Sequence, residues 1–307
     1  MLVQLKRLRP FTKPPLTLRN KVAVITGGAE GIGWETAQLL EREGAKIAII
    51  DRNPLALQVA KTKLGNGILT INADVTHRDH MHKAINEVKT HFGRIDLVVA
   101  NAGITPPPAT LRTGNLKDFD TVLGVNVTGV LNTIHPAIEF LIEQRGHILV
   151  VSSCAAFCPP VAGAAYMVSK AAVEQLARGL KLELATHGVT VTTAYLGVVD
   201  TQLAKNTLDL DPIGMILNQR LPKPLQKRLP PIEAAKVLVH AIKKRSPTVI
   251  APLGWLPYAW LRGLANPLLD KFIVRDASLQ KSLRELEQRN PNNAHKSPLS
   301  INGDKHA

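Results

Sequence analysis

Tyr166 and Lys170, separated by Met-Val-Ser, and Ser153, thirteen residues before the tyrosine, are the residues best suited to chemistry in this chain. A spacing of four puts both side chains on one face of a helix. A nearby ammonium favours the phenolate form and lowers the tyrosine's pKa. A tyrosine tuned in this way exchanges a proton with an alcohol or carbonyl oxygen near neutral pH. Any amphipathic helix can carry the same spacing, so its weight comes from what stands upstream.

Upstream is Thr26-Gly27-Gly28-Ala29-Glu30-Gly31-Ile32-Gly33. Residues 21–25 before it form a short apolar, β-branched run that reads as a buried strand. Residues 34–43 after it read as a helix, stopped by Gly44. In that setting glycines let the backbone approach a pyrophosphate, and the helix N-terminus favours its negative charge. A second strand, residues 46–50, leads to Asp51, eighteen residues beyond Gly33. A carboxylate there accepts hydrogen bonds from a ribose 2′-hydroxyl and repels a 2′-phosphate, which points to NAD. Arg52 at the same rim could hold that phosphate, so NADP stays open.

Ala73-Asp74-Val75, Asn101-Ala102-Gly103, Val125-Asn126-Val127, the Ser152-Ser153 pair and Tyr166…Lys170 follow in order. Together with the glycine turn, these motifs resemble the short-chain dehydrogenase/reductase family over about residues 20–252. The resemblance implies a Rossmann-type α/β fold: a doubly wound sheet of seven mainly parallel strands with helices on both faces. It implies hydride transfer between NAD(P) and a CH–OH group. Asp74 and Val75 would meet the adenine, and Asn101, Ala102 and Gly103 would line the cofactor. Tyr166 would be the general acid/base, and Lys170 would tune it and bind the nicotinamide ribose. Ser153 would hold the substrate oxygen, and Asn126 a water linking Lys170 to solvent. After its sixth strand the family usually has Pro-Gly and then a threonine. Here Gly197 and Thr201 match as cofactor contacts, but Leu196 replaces the proline.

Further strands read at residues 68–72, 95–101, 147–153, 189–196 and 248–251, making seven in one α/β unit. The expected organisation is a basic N-terminal extension (1–19), a catalytic domain (20–252), a helical arm (253–288) and a disordered tail (289–307). Cys154 and Cys158 make no disulfide framework and read as small packing residues. No His/Cys grouping has metal-ligand spacing, so no metal is expected. The N-terminus lacks the apolar core of a secretory signal, since Lys6, Arg7 and Arg9 interrupt it. The uncharged stretch 146–169 is long enough for a membrane span. Its Pro159, Pro160, Gly163 and Tyr166 read instead as a strand end, a loop and the start of the catalytic helix. A cytoplasmic homo-oligomer, dimer or tetramer, is the expectation.

The net charge of +14 is unevenly placed. Residues 22–204 hold 15 bases and 16 acids, a balance of −1. Residues 1–21 hold six bases and no acid, and residues 205–307 hold 17 bases and 8 acids. The whole excess sits on the two ends, as suits an anionic partner surface. Without a recognition motif, nucleic acid is not that partner. Residues 253–275 carry Trp255, Tyr258, Trp260 and Phe272. Asn266-Pro267 reads as a helix N-cap, which predicts two short helices. Leu261, Leu264, Leu268 and Phe272, interleaved with Arg262, Lys271 and Arg275, suit either an interfacial membrane anchor or packing on protein.

Residues 202–229 are rich in leucine and isoleucine, broken by Pro212, Pro222 and Pro224. In the resembling family this stretch closes over the substrate. An apolar lid suits a lipophilic alcohol or ketone of sterol, retinoid or long-chain type; the alternative is that these leucines only pack on the core. Two other readings stay open: an NADP-dependent reductase of a smaller ketone, and a non-enzymatic nucleotide-binding protein at a membrane surface.

Overall fold

The structure is a computed structural model and describes residues 14–289. Most of the basic N-terminal extension, and the expected tail beyond Arg289, lie outside the described residues.

Seven strands form one sheet: β1 Val22–Thr26, β2 Lys46–Asp51, β3 Leu69–Asn72, β4 Leu97–Ala100, β5 His147–Ser153, β6 Thr190–Leu196 and β7 Thr248–Ala251. Their order is β3-β2-β1-β4-β5-β6-β7, and every pair is parallel. Strands β1, β4 and β5 are buried along their whole length. That is why they read as continuous apolar runs: a parallel sheet is covered on both faces. Alternate residues still divide between two cores. Val22 and Val24 join the core under α3 (Arg78–Phe92) and α7 (Ala164–Glu183). Ala23 and Ile25 join the one under α1 (Gly31–Arg42), α2 (Pro54–Leu64) and α10 (Pro231–Lys244).

Between β4 and β5 runs a broken helix. It comprises α4 Leu116–Leu123, a π turn Gly124–Thr128, α5 Gly129–Ile134 and α6 Ile138–Gln144. The lid follows β6 as α8 Gln202–Ala204, a second π turn Lys205–Asp209 and α9 Pro212–Arg220. The arm is α11 Leu256–Arg275 and α12 Ala277–Glu287.

The arm differs from the sequence expectation. Pro267 lies inside one continuous helix, and the break comes at Asp276. Asn266 does not cap a helix. Its amide donates to Phe157 O (3.0 Å), and its Oδ1 accepts from the Tyr258 hydroxyl (2.6 Å). Asp276 is the cap instead, its carboxylate accepting from Leu279 N at 2.9 Å. Tertiary contacts hold α11 together across a proline that costs it one backbone hydrogen bond.

The strand order reverses between β1 and β4. At such a switch point the loops after the strand ends part and leave a crevice. At the opposite end of the strands, just before β4, Asp96 accepts from Val22 N (3.0 Å) and pairs with Arg94 and Lys21. Burial pushes this carboxyl up, but those partners outweigh it and hold it below the usual range.

Candidate active site

The glycine turn lies at the end of β1. Gly27 (φ +60°) and Gly31 (φ +55°) hold the left-handed conformation that glycine adopts without strain. A Cβ on Gly33 would stand 2.1 Å from Gly27 O and 2.6 Å from Asn101 Nδ2. Asn101, just past β4, donates its amide to Thr26 O (3.1 Å) and Gly27 O (3.0 Å), tying the two strand ends together. Helix α1 starts at Gly31, three residues earlier than expected, so its free N–H groups belong to the turn itself. Bare backbone at a helix N-terminus is the cradle a pyrophosphate needs, and these residues fit a dinucleotide.

Asp51 closes β2 beside this turn. Its carboxylate accepts from Ala29 N (3.2 Å) and Asn53 N (3.1 Å). Each oxygen keeps a lone pair for a further donor. Arg52 beside it is exposed. Asp74 Oδ1 accepts from the backbone and the hydroxyl of Thr76, both at 2.8 Å, and so shapes the loop after β3. Val75 is buried, and a Cβ on Gly129 would come within 2.6 Å of it. The Thr201 methyl lies 3.6 Å from the place a Cβ on Gly31 would take, so the start of the lid faces the glycine turn. Ile32 is half-buried and Ala102 packs on the core, which leaves their backbone as the part that can meet a cofactor.

The residues expected to be catalytic gather at the ends of β4 and β5. Tyr166 and Lys170 share a face of α7, with the Lys170 ammonium 5.5 Å from the Tyr166 ring centre. Lys170 Nζ donates to Val151 O at 3.0 Å. Ser153, the last residue of β5, donates to Leu196 O (3.1 Å) and accepts from Ala155 N (3.1 Å). A Cβ on Gly103 would sit 3.4 Å from both Lys170 Nζ and Asn126 Oδ1, so these three converge. Asn126 stands in the π turn, fully buried. Its Oδ1 accepts from Ile104 N (2.8 Å); its amide donates to Ile104 O and Ser169 Oγ (both 2.9 Å). Both N–H groups are used. The remaining Oδ1 lone pair is what Asn126 has for a water.

Burial pushes Lys170 down to about 8, which makes it a ready proton donor near neutral pH. Tyr166 behaves otherwise than its spacing from Lys170 suggests. Burial raises its pKa, and the pull in the opposite direction comes from the Ser153 hydroxyl. The Lys170 ammonium lies beside the ring and donates to Val151 O.

Leu196, where the family has proline, keeps its backbone N–H. Strand β6 therefore runs through it, paired with Ser153 on one side and Ala251 on the other. Gly197 is required by close approach: a Cβ there would lie 2.9 Å from both Pro252 Cδ and Trp255 Nε1.

Sequence reasoning missed several supporting residues. Ser152 donates to Lys170 O (2.9 Å) and anchors α7 to β5. Ser169 joins Asn126 to Tyr166 O (2.6 Å). Asn132 donates to Val75 O (2.9 Å) and pins the loop after β3. Apart from the Ser169 contact with Tyr166 one turn away, their partners come from other elements, and a serine or asparagine inside a strand or helix carries no local sign of such a role.

Fold and site define a nucleotide-binding oxidoreductase of the doubly wound α/β class. The short chain dehydrogenase sequence profile matches residues 21–210, and the chain belongs to that family. An uncharacterized oxidoreductase of Staphylococcus epidermidis is 34% identical over 191 residues, 62% of this chain and 83% of that one. One of Staphylococcus aureus is 30% identical over 233 residues, 75% of this chain and 94% of that one. Among solved structures, a short-chain type dehydrogenase/reductase from Mycobacterium marinum is 28% identical. It aligns with TM-score 0.68 over 76% of this chain and 94% of that one. A 3-ketoacyl-(acyl-carrier-protein) reductase from Brucella melitensis complexed with NADH is 25% identical. It aligns with TM-score 0.69 over 76% and 97%.

Proposed function

We propose that the protein is an NAD-dependent dehydrogenase or reductase of a lipophilic secondary alcohol or ketone. The observation that carries this is the convergence of Ser153, Tyr166, Lys170, Asn126 and Gly103 at the ends of β4 and β5. A non-catalytic scaffold needs no such set. Gly27, Gly31, Gly33 and Thr201 would hold the pyrophosphate side of the dinucleotide, and Asp51 its adenosine ribose. The nicotinamide would supply or accept the hydride. Ser153 holds the substrate oxygen, Tyr166 exchanges the proton at that oxygen, and Lys170 relays that proton to or from solvent through a water held by Asn126.

Asp51 supports NAD, as does the NADH bound by the Brucella reductase. The exposed Arg52 favours NADP as the second reading. Support for a lipophilic substrate comes from the wall behind Ser153. There Cys154, Phe157, Tyr195 and Trp255 pack together with Leu221 and Leu225 of the lid. Part of the lid packs downward, since Ile213 is buried against Ala162 and Leu286. Leu210 and Met215 stay exposed.

Turnover of lipophilic and small alcohols and ketones with NAD and NADP tests the proposal, with Tyr166→Phe as control. Turnover should be fastest with a lipophilic substrate and NAD, and the variant should lose at least about 100-fold. No turnover in either direction, or an unaffected variant, refutes the reading.

A further inference from the structure

Helix α11 is built with its polarity inverted. The side turned to the protein is held by polar groups. Arg262 pairs with Glu174 (3.0 Å) and lies 4.6 Å from the Phe157 ring centre. Asn266 and the Tyr258 hydroxyl bond to Phe157 O. No residue of α11 is fully buried. At about 100° per residue, Trp260, Leu264 and Leu268 fall on the opposite side, with Leu261 and Phe272 on its flank. They are 56% to 77% exposed. This stripe runs from residue 260 to residue 272, about 18 Å of helix. Contiguous exposed apolar surface of this kind marks an interaction site.

Charge selects the partner. Lys271 and Arg275 rise from the same stripe, and neither has an ion pair among the described residues. At the other end, exposed Lys223 and Lys227 flank the turn that packs on residues 253–255. The acid of α11, Asp270, falls on the far side of the helix from the stripe. A second copy laid on this face would bring like charges together, whereas an anionic surface neutralises them.

We propose that the outer face of α11 docks in the plane of an anionic phospholipid surface. Trp260 and the leucines enter the interface, and Lys271, Arg275, Lys223 and Lys227 meet the headgroups. No described helix is long and apolar enough to cross a membrane, so α11 lies on the surface. The lid is adjacent: Arg220 of α9 pairs with Asp276 between α11 and α12, and Asp211 with Arg289 beyond α12. Docking would therefore present the lid to lipophilic molecules dissolved in the bilayer.

The test uses full-length protein with vesicles of phosphatidylcholine alone, or of phosphatidylcholine and phosphatidylglycerol. Cosedimentation with the anionic vesicles at low salt is expected, with binding at least about tenfold weaker to the neutral ones. Of the three tryptophans Trp260 is exposed, Trp255 is buried and Trp34 is half-buried on another face, so emission should shift to the blue on binding. Trp260→Phe should remove that shift and keep the binding. The exposed pair Lys271→Glu/Arg275→Glu should weaken anionic binding by at least about tenfold. Leu264→Glu/Phe272→Glu should abolish it, with unchanged circular dichroism and melting. Protein left in the supernatant at low salt overturns the proposal. So does binding that both double variants retain, which would place it on another segment. A dimer that Leu264→Glu dissociates, without vesicle binding, overturns it in favour of a second copy.

Discussion

Replacing Lys170 with methionine should change how stability depends on pH. In the folded protein this lysine titrates at about 8, against 10.5 unperturbed, because burial disfavours its charge. Between those two values the unfolded chain binds a proton that the folded one does not. Stability therefore rises with pH across this window. Below about 8 the folded protein carries the full cost of a buried ammonium; above 10.5 that cost has gone. A shift of that size corresponds to about 3 kcal/mol. Lys170→Met has no such group, so its stability should lack this rise. Removing the Nζ hydrogen bond to Val151 O offsets the variant by a constant and leaves the slope untouched. Urea unfolding of wild type and variant at several pH values measures the difference. Groups common to both chains whose surroundings the substitution leaves unchanged cancel in the subtraction. The wild type should gain about 3 kcal/mol relative to the variant from the low to the high end of the window. Parallel curves would refute the claim that the ammonium is desolvated. Turnover should be lost in the variant at every pH.

Asp51→Ala should weaken NAD binding about tenfold, the worth of a charge-assisted hydrogen bond, and raise relative use of NADP through Arg52. A wild type that already prefers NADP in cofactor titrations contradicts the role given to Asp51. Gly33→Ala should abolish cofactor binding and lower the melting temperature, because its Cβ would stand 2.1 Å from Gly27 O. Unchanged affinity by calorimetry would mean that the turn opens without cost. Ser169→Ala should remove the link between Asn126 and Tyr166 O. It should lower kcat more than it raises KM, and an unchanged kcat would make the link structural only.

Much of this protein was determined locally. Parallel strands buried on both faces require apolar β-branched runs, so the seven strands were legible with no end displaced by more than two residues. The glycine turn was legible because close backbone approach and left-handed φ angles tolerate few other residues. Tyr166 and Lys170 were legible because helical periodicity alone puts them together. What depends on distant partners was not. The path of α11 through Pro267 follows from the bonds of Asn266 and Tyr258 to Phe157, more than a hundred residues away. Burial, a property of the packed whole, raises the pKa of Tyr166 and lowers that of Lys170, which their spacing on the helix could not show. Ser152, Ser169 and Asn132 acquired roles only when β5, α7 and the loop after β3 were brought into contact. The outward apolar stripe of α11 is likewise a tertiary fact: composition supplied the leucines and tryptophan, and the polar contacts of the opposite side decided which way they face.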